Sequence, residues 1–443
     1  MVSGPVALLL LAVAVAMIVI GTSKYKINAF LVLIFVSAFY AFAIGVPPAR
    51  VMVLVREGFG GLITRVGLIY LGGTIMGSIL EKSGAAVSIT EFILKLVGKK
   101  NAPLAIGFSG YVVSIPINCD PGFIILTPVN RGLSMESGYS MTTMSVTLAG
   151  GLLSTHAMVP PTAGPLAVAL TLSADLAQVI VFGLIASFFC LLVAWLWAVK
   201  FCAKYKVFPE GERSYSDVVK EFGKLPNVFH SLLPILYPLT AICLASFANM
   251  KSQPFGDGVF ASTVRIMGDA PTALLCAVLI AFTLVPVEKL GIAASTWVSD
   301  ALKDAALIMF VTAAGGAFGA VLAASPMVGF IEEVAKTWRL GLFLPFFVTA
   351  ILKVAQGSST VAMITTSAIM APLIDGMGLH PAIVAVSIGA GSMIVSHTND
   401  SYFWVVTQFS KFEVGLSLKT YTAMTGLIGI TAFLVINIIN IFV

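Results

Sequence analysis

The chain has 443 residues, of which 58% are hydrophobic and 10% charged, with a formal net charge of +5. Soluble domains average about 25% charged residues, so this chain cannot cover itself with a water-facing surface and reads as an all-α integral membrane protein, with long apolar runs instead of the short alternating segments of a barrel. The basic residues are scattered between those runs and form no basic face, which argues against nucleic acid as a partner and leaves the lipid bilayer as the surrounding medium.

Apolar segments fall near 5–21, 28–46 and 61–80. The first has no basic region ahead of it, and Lys24 and Lys26 follow it, so it reads as a retained span. The next run, 102–133, is too long for one helix and has a polar centre, "SIPINCDPGF" (Ser114–Phe123). Two half-length arms meeting at a polar tip, a re-entrant hairpin, account for it. Asp120 followed by Pro121 has the form of an N-cap and first helical residue. Capping is one role for this carboxylate; substrate contact or proton exchange is the other, because an ionisable group inside a membrane is costly to keep there. Asn118 stands just before it.

The segment 140–172 reads as a span broken at "STHAMVPPTAGP" (Ser154–Pro165). Pro160, Pro161 and Pro165 cannot continue a helix, and Ser154, Thr155, His156 and Thr162 are the polar groups beside the break. A span at 175–200 completes a first repeat, 1–203. The polar stretch 204–227 reads as a cytoplasmic linker, and residues 228–443 as a second repeat with spans near 231–249, 271–286 and 303–324.

In the second repeat the overlong run is 340–375, with the tip "AQGSSTVA" (Ala355–Ala362). Gly357 supplies the bend. Ser358, Ser359 and Thr360 place hydroxyls and N–H groups at a helix start, which suits either plain capping or an anionic ligand. Lys353 lies one turn earlier. It can balance Asp120 or Asp400, draw a substrate carboxylate, or snorkel to the interface. The run 381–410 is broken at "SMIVSHTNDSYFWVV" (Ser392–Val406), which carries Ser396, His397, Asn399 and Asp400; 417–442 is the last span. The five cysteines show neither pairing nor metal spacing, and neither a metal nor an organic cofactor is expected.

A hairpin returns to the side it entered from, which leaves ten crossing helices plus two hairpins. With the N- and C-termini outside, most of the 25 basic residues fall on the inner side, including Lys82, Lys95, Lys100, Lys200, Lys204 and Lys206, as the positive-inside rule requires. The halves also match each other. "GTIMGSILEKSG" (Gly73–Gly84) lies over "GGAFGAVLAASP" (Gly315–Pro326), and "GGLLSTH" (Gly150–His156) over "GSMIVSH" (Gly391–His397), in registers that agree within one residue. An odd number of crossings per half makes the second copy inverted, and inverted repeats with broken helices mark secondary transporters with a midplane site. No HExxH, GxxxxGK[ST] or GxSxG motif is present, so no enzyme is indicated and the driving energy must come from an ion gradient.

At "LKVAQGSSTVA", "GAGSMIVSHTNDSYFW" and "STHAMVPPTAGP" the sequence resembles the gluconate permease family, the gluconate:proton symporters of the wider ion transporter superfamily. The resemblance covers nearly the whole chain. It implies a carboxylate transporter with inverted repeats and two hairpins, proton symport, a homodimer in a bacterial inner membrane, and an elevator motion of the hairpins and broken helices against a scaffold. The chain departs from the family in having Asn118-Cys119-Asp120-Pro121 where a Tyr-Glu-Val tip is usual, Thr162-Ala163 in place of His-Pro, and Lys353 in place of Arg.

The expectation is therefore a symporter importing gluconate, another sugar acid or a short hydroxy acid. The carboxylate would sit against Ser358–Ser359 and Asn399, and the hydroxyls against Thr155, Thr162 and Ser396. Asp120 and Asp400 come first as proton carriers, then His156 and His397. A sodium-coupled carrier using Asn118, Ser359, Thr360 and Asn399 is the alternative, and a channel or antiporter a more distant one.

Overall fold

The computed structural model describes residues 2–208, 225–249, 254–327, 330, 341–398 and 400–443; Asn399 and most of the 204–227 linker lie outside the described residues. Among the described residues every regular element is helical. The first half contains α1 (Gly4–Val19), α2 (Ala29–Ala43), α3 (Pro48–Lys82), α4 (Ala85–Val97), α5 (Ala102–Val113), α6 (Cys119–Ser137), α7 (Met141–Met158), α8 (Ala163–Thr171) and α9 (Leu176–Lys200). The second contains α10 (Val228–Ala248), α11 (Val259–Met267), α12 (Ala270–Phe282), α13 (Val298–Ala323), α14 (Phe343–Gln356), α15 (Ser359–Met370), α16 (Pro381–Ser392), α17 (Ser401–Phe409) and α18 (Ala423–Ile439).

Local chemistry sets many of the starts. The Asn28 side chain accepts the Phe30 N–H at 2.9 Å to open α2, and Asp175 accepts the Gln178 N–H at 2.9 Å to open α9. Pro48 opens α3, where its missing N–H has no intrahelical acceptor to lose.

Three helices extend beyond the apolar runs. α3 begins at Pro48 rather than near residue 61 and bends by 45° between Thr64 and Gly67. Its first turns carry Arg50, Arg56 and Glu57, all exposed, which interrupt the apolar signal without interrupting the helix. α4 is amphipathic: Ile89, Ile93 and Leu94 are buried while the exposed Lys95 pairs with the half-buried Glu91 at 3.0 Å. α13 continues a helical stretch that starts at Val287. Among the described residues five helices are by themselves long and apolar enough to cross a membrane, or up to seven if each bent pair is one span. Most other apolar helices, α5, α14, α15 and α16 among them, are half-length.

The long helices α3 and α13 pack along each other. A Cβ on Gly58 would lie 2.5 Å from the Gly316 carbonyl oxygen, and one on Gly316 2.7 Å from that of Gly58, so the two backbones touch only because both residues lack side chains. Helices in matching places make matching contacts. α5 packs on α7 as α14 packs on α16, and α7 on α9 as α16 on α18. Crosswise, α8 meets α15 as α17 meets α6, and α9 meets α16 as α18 meets α7. Tyr70 and Thr312, which match in the Gly73–Gly315 register, meet hydroxyl to hydroxyl at 3.2 Å.

Candidate functional site

The helices stop at all four polar stretches, and each stop has its own chemistry. α5 ends at Val113, and the Ser114 hydroxyl donates to the Ile117 carbonyl at 3.0 Å, folding the chain over. α6 restarts at Cys119, so its N-cap residue is Asn118, whose carbonyl accepts the Gly122 N–H at 3.0 Å. This corrects the expectation that Asp120 is the cap. Asp120 lies within the first turn, and Pro121 occupies the next position, where a missing N–H still costs no helical bond. Freed from capping, the Asp120 carboxylate accepts the Cys119 thiol at 3.4 Å and lies within reach of Ser401 and of the Asp400 charge.

At the first broken helix the Thr162 hydroxyl donates to the carbonyls of His156 (3.0 Å) and Val159 (2.6 Å), satisfying groups that the break would otherwise strand. Pro165 falls inside the first turn of α8, not in the break. The hydroxyls of Ser154 and Thr155 are wholly buried and donate to the carbonyls of Gly150 (2.6 Å) and Tyr111 (3.0 Å), so they are engaged with the helix backbones.

At the second tip Gly357 adopts a φ of 83°, a left-handed conformation that reverses the chain without a Cβ clash. Ser358 caps α15 by accepting the Val361 N–H at 3.3 Å, and the Ser359 hydroxyl donates to the Ser392 carbonyl at 2.9 Å, tying the tip to the end of α16. Thr360 is half-buried in the same first turn. At the second break Asp400 caps α17 by accepting the Tyr402 N–H at 3.1 Å. The last span supplies what the broken backbone lacks: the Ser396 N–H donates to the Thr425 hydroxyl at 3.0 Å, and the Thr422 hydroxyl donates to the Ser396 carbonyl at 2.6 Å.

An ion pair joins the second tip to the second break. Lys353 Nζ lies 2.5 Å from Asp400 Oδ2, and the two side chains are 1% and 9% exposed. The same ammonium donates to the Gly357 carbonyl at 2.7 Å. Lys353 therefore does not snorkel, and its partner is Asp400, not Asp120. The Ser396 hydroxyl donates to the same Asp400 oxygen and lies 3.0 Å from the Tyr421 hydroxyl. His156 is buried, its Nδ1 has no hydrogen-bond partner, and it lies within electrostatic reach of both members of the pair. The equivalent His397 is placed differently: half-buried, with Nε2 3.1 Å from the Val354 carbonyl. Lys353, Asp400, Asp120, His156, Ser396 and Cys119 thus form one cluster contributed from beside all four helix interruptions.

A separate cavity of about 190 Å³ lies between α3, α13, the first tip and the first break. Asn118 and Thr162 line it with Thr74 and Ser78, and Glu81, Lys82, Asp300 and Asp304 stand at one end, where Lys82 pairs with Asp300 at 3.2 Å. Gly77 brings α3 close to the tip: a Cβ there would lie 2.6 Å from the Pro116 carbonyl oxygen. The cavity lining does not include Lys353 or Asp400. The sequence reading missed Tyr70, which donates to the Ala163 carbonyl across the first break, and Tyr421, Thr422 and Thr425, which support the second. The match of Tyr70 with Thr312 in the repeat register was the one signal available for the first of these. Among the described residues no group of three His, Cys, Asp or Glu side chains could hold a metal ion.

The GntP family permease model matches residues 6–442. The chain belongs to the GntP permease family. Its relatives include an uncharacterized permease of Haemophilus influenzae, 32% identical, with 91% of this chain and 86% of the relative covered. A gluconate permease of Pseudomonas aeruginosa is 29% identical (96% and 95% covered), and the Gnt-II system L-idonate transporter of Escherichia coli is also 29% identical (98% and 99% covered). Among solved structures, the fold is similar to that of Neisseria gonorrhoeae MtrF, from a class of antimetabolite efflux pumps, with a TM-score of 0.70 and 12% identity over 95% of this chain and 96% of that one. It is also similar to the Alcanivorax borkumensis YdaH transporter, with a TM-score of 0.63 and 13% identity over 90% of each chain. This member of the GntP permease family is a membrane transporter and not an enzyme.

Proposed function

We propose that this GntP family permease is a secondary active symporter that imports a small hydroxylated carboxylate, a sugar acid such as gluconate or a short hydroxy acid, with protons as the coupling ion. The observation that carries the reading is the buried Lys353–Asp400 pair, enclosed by helix breaks from both halves. An ammonium and a carboxylate kept inside a membrane protein are costly unless used. The names of the relatives, which transport gluconate and L-idonate, support the substrate class. Asp400 and Asp120 are the proposed proton carriers, with His156 after them. Asn118 and Thr162 are proposed to meet the substrate from the cavity side.

The matching and crosswise helix contacts support an inverted repeat whose hairpins and broken helices move together, elevator-fashion, against α3 and α13. Ten crossings with both termini outside, a cytoplasmic linker, an inner-membrane location and a homodimer complete the proposed arrangement. Uptake of labelled gluconate and L-idonate into proteoliposomes tests the function. Accumulation driven by an inward proton gradient in sodium-free buffer is expected. Uptake that needs sodium, or ignores the pH gradient, overturns proton coupling.

A further inference from the structure

Resting on that reading, we propose that substrate and proton enter as an exchange of partners at Lys353: a proton takes Asp400 Oδ2 away from the ammonium, and the substrate's single carboxylate replaces it. Asp400 bridges two elements. Its Oδ2 accepts from Lys353 on α14 and from Ser396, and its Oδ1 caps α17. Protonating Oδ2 removes the charge that holds Lys353, while the α17 cap on Oδ1 remains. The Ser396 hydroxyl can then accept the new O–H instead of donating, because Tyr421, 3.0 Å away, can serve either as its donor or as its acceptor. Both protonation states of Asp400 therefore keep a full set of hydrogen bonds, and only the ammonium loses a partner.

Charge bookkeeping fixes the rest. Before the exchange the pair sums to zero. Afterwards a neutral Asp400, a cationic Lys353 and one carboxylate also sum to zero, so one proton accompanies one monoanion and no net charge crosses. Lys353 is the only Lys or Arg among the buried described residues. A second substrate carboxylate would therefore be buried unpaired, and the site selects monocarboxylates over dicarboxylates. The groups facing Asp400 from the surrounding elements are Lys353, His156, Asp120, Cys119, Tyr402 and Tyr421. Of these, Asp120 and His156 are the rival proton carriers. The 1% exposure of Lys353 means that the carboxylate reaches it only when the packing around the ammonium opens.

Proteoliposomes loaded with potassium allow the pH gradient and the membrane potential to be set separately with valinomycin. For the wild type, labelled gluconate is expected to accumulate about tenfold per pH unit at equilibrium, as one proton per substrate requires, with no response to the potential. Succinate and other dicarboxylates should not compete. Accumulation driven by potential alone, about a hundredfold per pH unit, or effective competition by dicarboxylates overturns the exchange while leaving a working transporter. Absence of uptake of any sugar acid under every gradient overturns the functional reading, and the exchange with it. In Asp400→Asn, gradient-driven accumulation of gluconate should disappear in protein that still elutes as a single species. Accumulation retained by this variant moves the proton elsewhere and overturns the proposal. If the variant does not fold, the wild-type stoichiometry decides.

Discussion

Removing one member of the Lys353–Asp400 pair should destabilise the protein by an amount that the burial of the pair sets. In Lys353→Met the thioether side chain roughly fills the volume of the alkyl stem, so the dominant change is a carboxylate left without its cation at a site where Asp400 is 6% exposed. Breaking a buried pair from one side costs about 3–5 kcal/mol. The Asp400 carboxylate then keeps its hydrogen bonds from Ser396 and from the Tyr402 N–H but loses its cation. Lys353→Met/Asp400→Leu, which removes both charges, should recover most of the loss. Unfolding in mixed detergent–SDS micelles, run as a double-mutant cycle, measures this. A single-variant penalty under about 1 kcal/mol, or a double variant no more stable than the single one, would mean that the pair is not dry and would refute the reasoning.

Other predictions test the supports of the site. Thr162→Val keeps the shape but leaves the His156 and Val159 carbonyls without their hydroxyl donor, and should cost about 1–3 kcal/mol in the same unfolding assay. Gly77→Ala puts a methyl 2.6 Å from the Pro116 carbonyl oxygen, a backbone atom that cannot rotate away, so it should cost about 1–3 kcal/mol and slow uptake in protein that still elutes as a single species. Gly60→Ala, on the same helix but with nothing within 4 Å, should instead be neutral or stabilise by up to about 1 kcal/mol. Tyr70→Phe should lower the uptake rate more than it lowers the melting temperature, since the lost hydroxyl bridges α13 and the backbone of the first break.

Much of the site was legible because a membrane makes polar residues conspicuous. Gly357, Pro160 and the run Ser396–Asp400 stand out in apolar surroundings, and the helices stop at each of them. The boundaries were less legible. Hydropathy stops at Arg50, Arg56 and Glu57 although helical hydrogen bonding does not, so the first half of α3 was invisible, and amphipathic α4 contributed no apolar run. Asp120 was misplaced by two helix positions because Asp-Pro has the local form of a cap, whereas Asn118 holds that place.

The sequence by itself determined that this is a helical membrane protein with matching halves and four polar interruptions, because transfer free energy and backbone satisfaction inside a bilayer depend on composition and spacing alone. Only the tertiary structure decided which charges pair. Lys353 lay open in sequence to Asp120, to Asp400, to a substrate carboxylate or to the interface. It meets Asp400 because Gly357 turns α14 back and α16 breaks before Asp400, bringing residues 47 apart in sequence to 2.5 Å. The two histidines, equivalent by register, part company for the same reason: His156 is enclosed by neighbouring helices and His397 is not. An ion pair is a property of two backbones brought together, and no pattern within either segment encodes it.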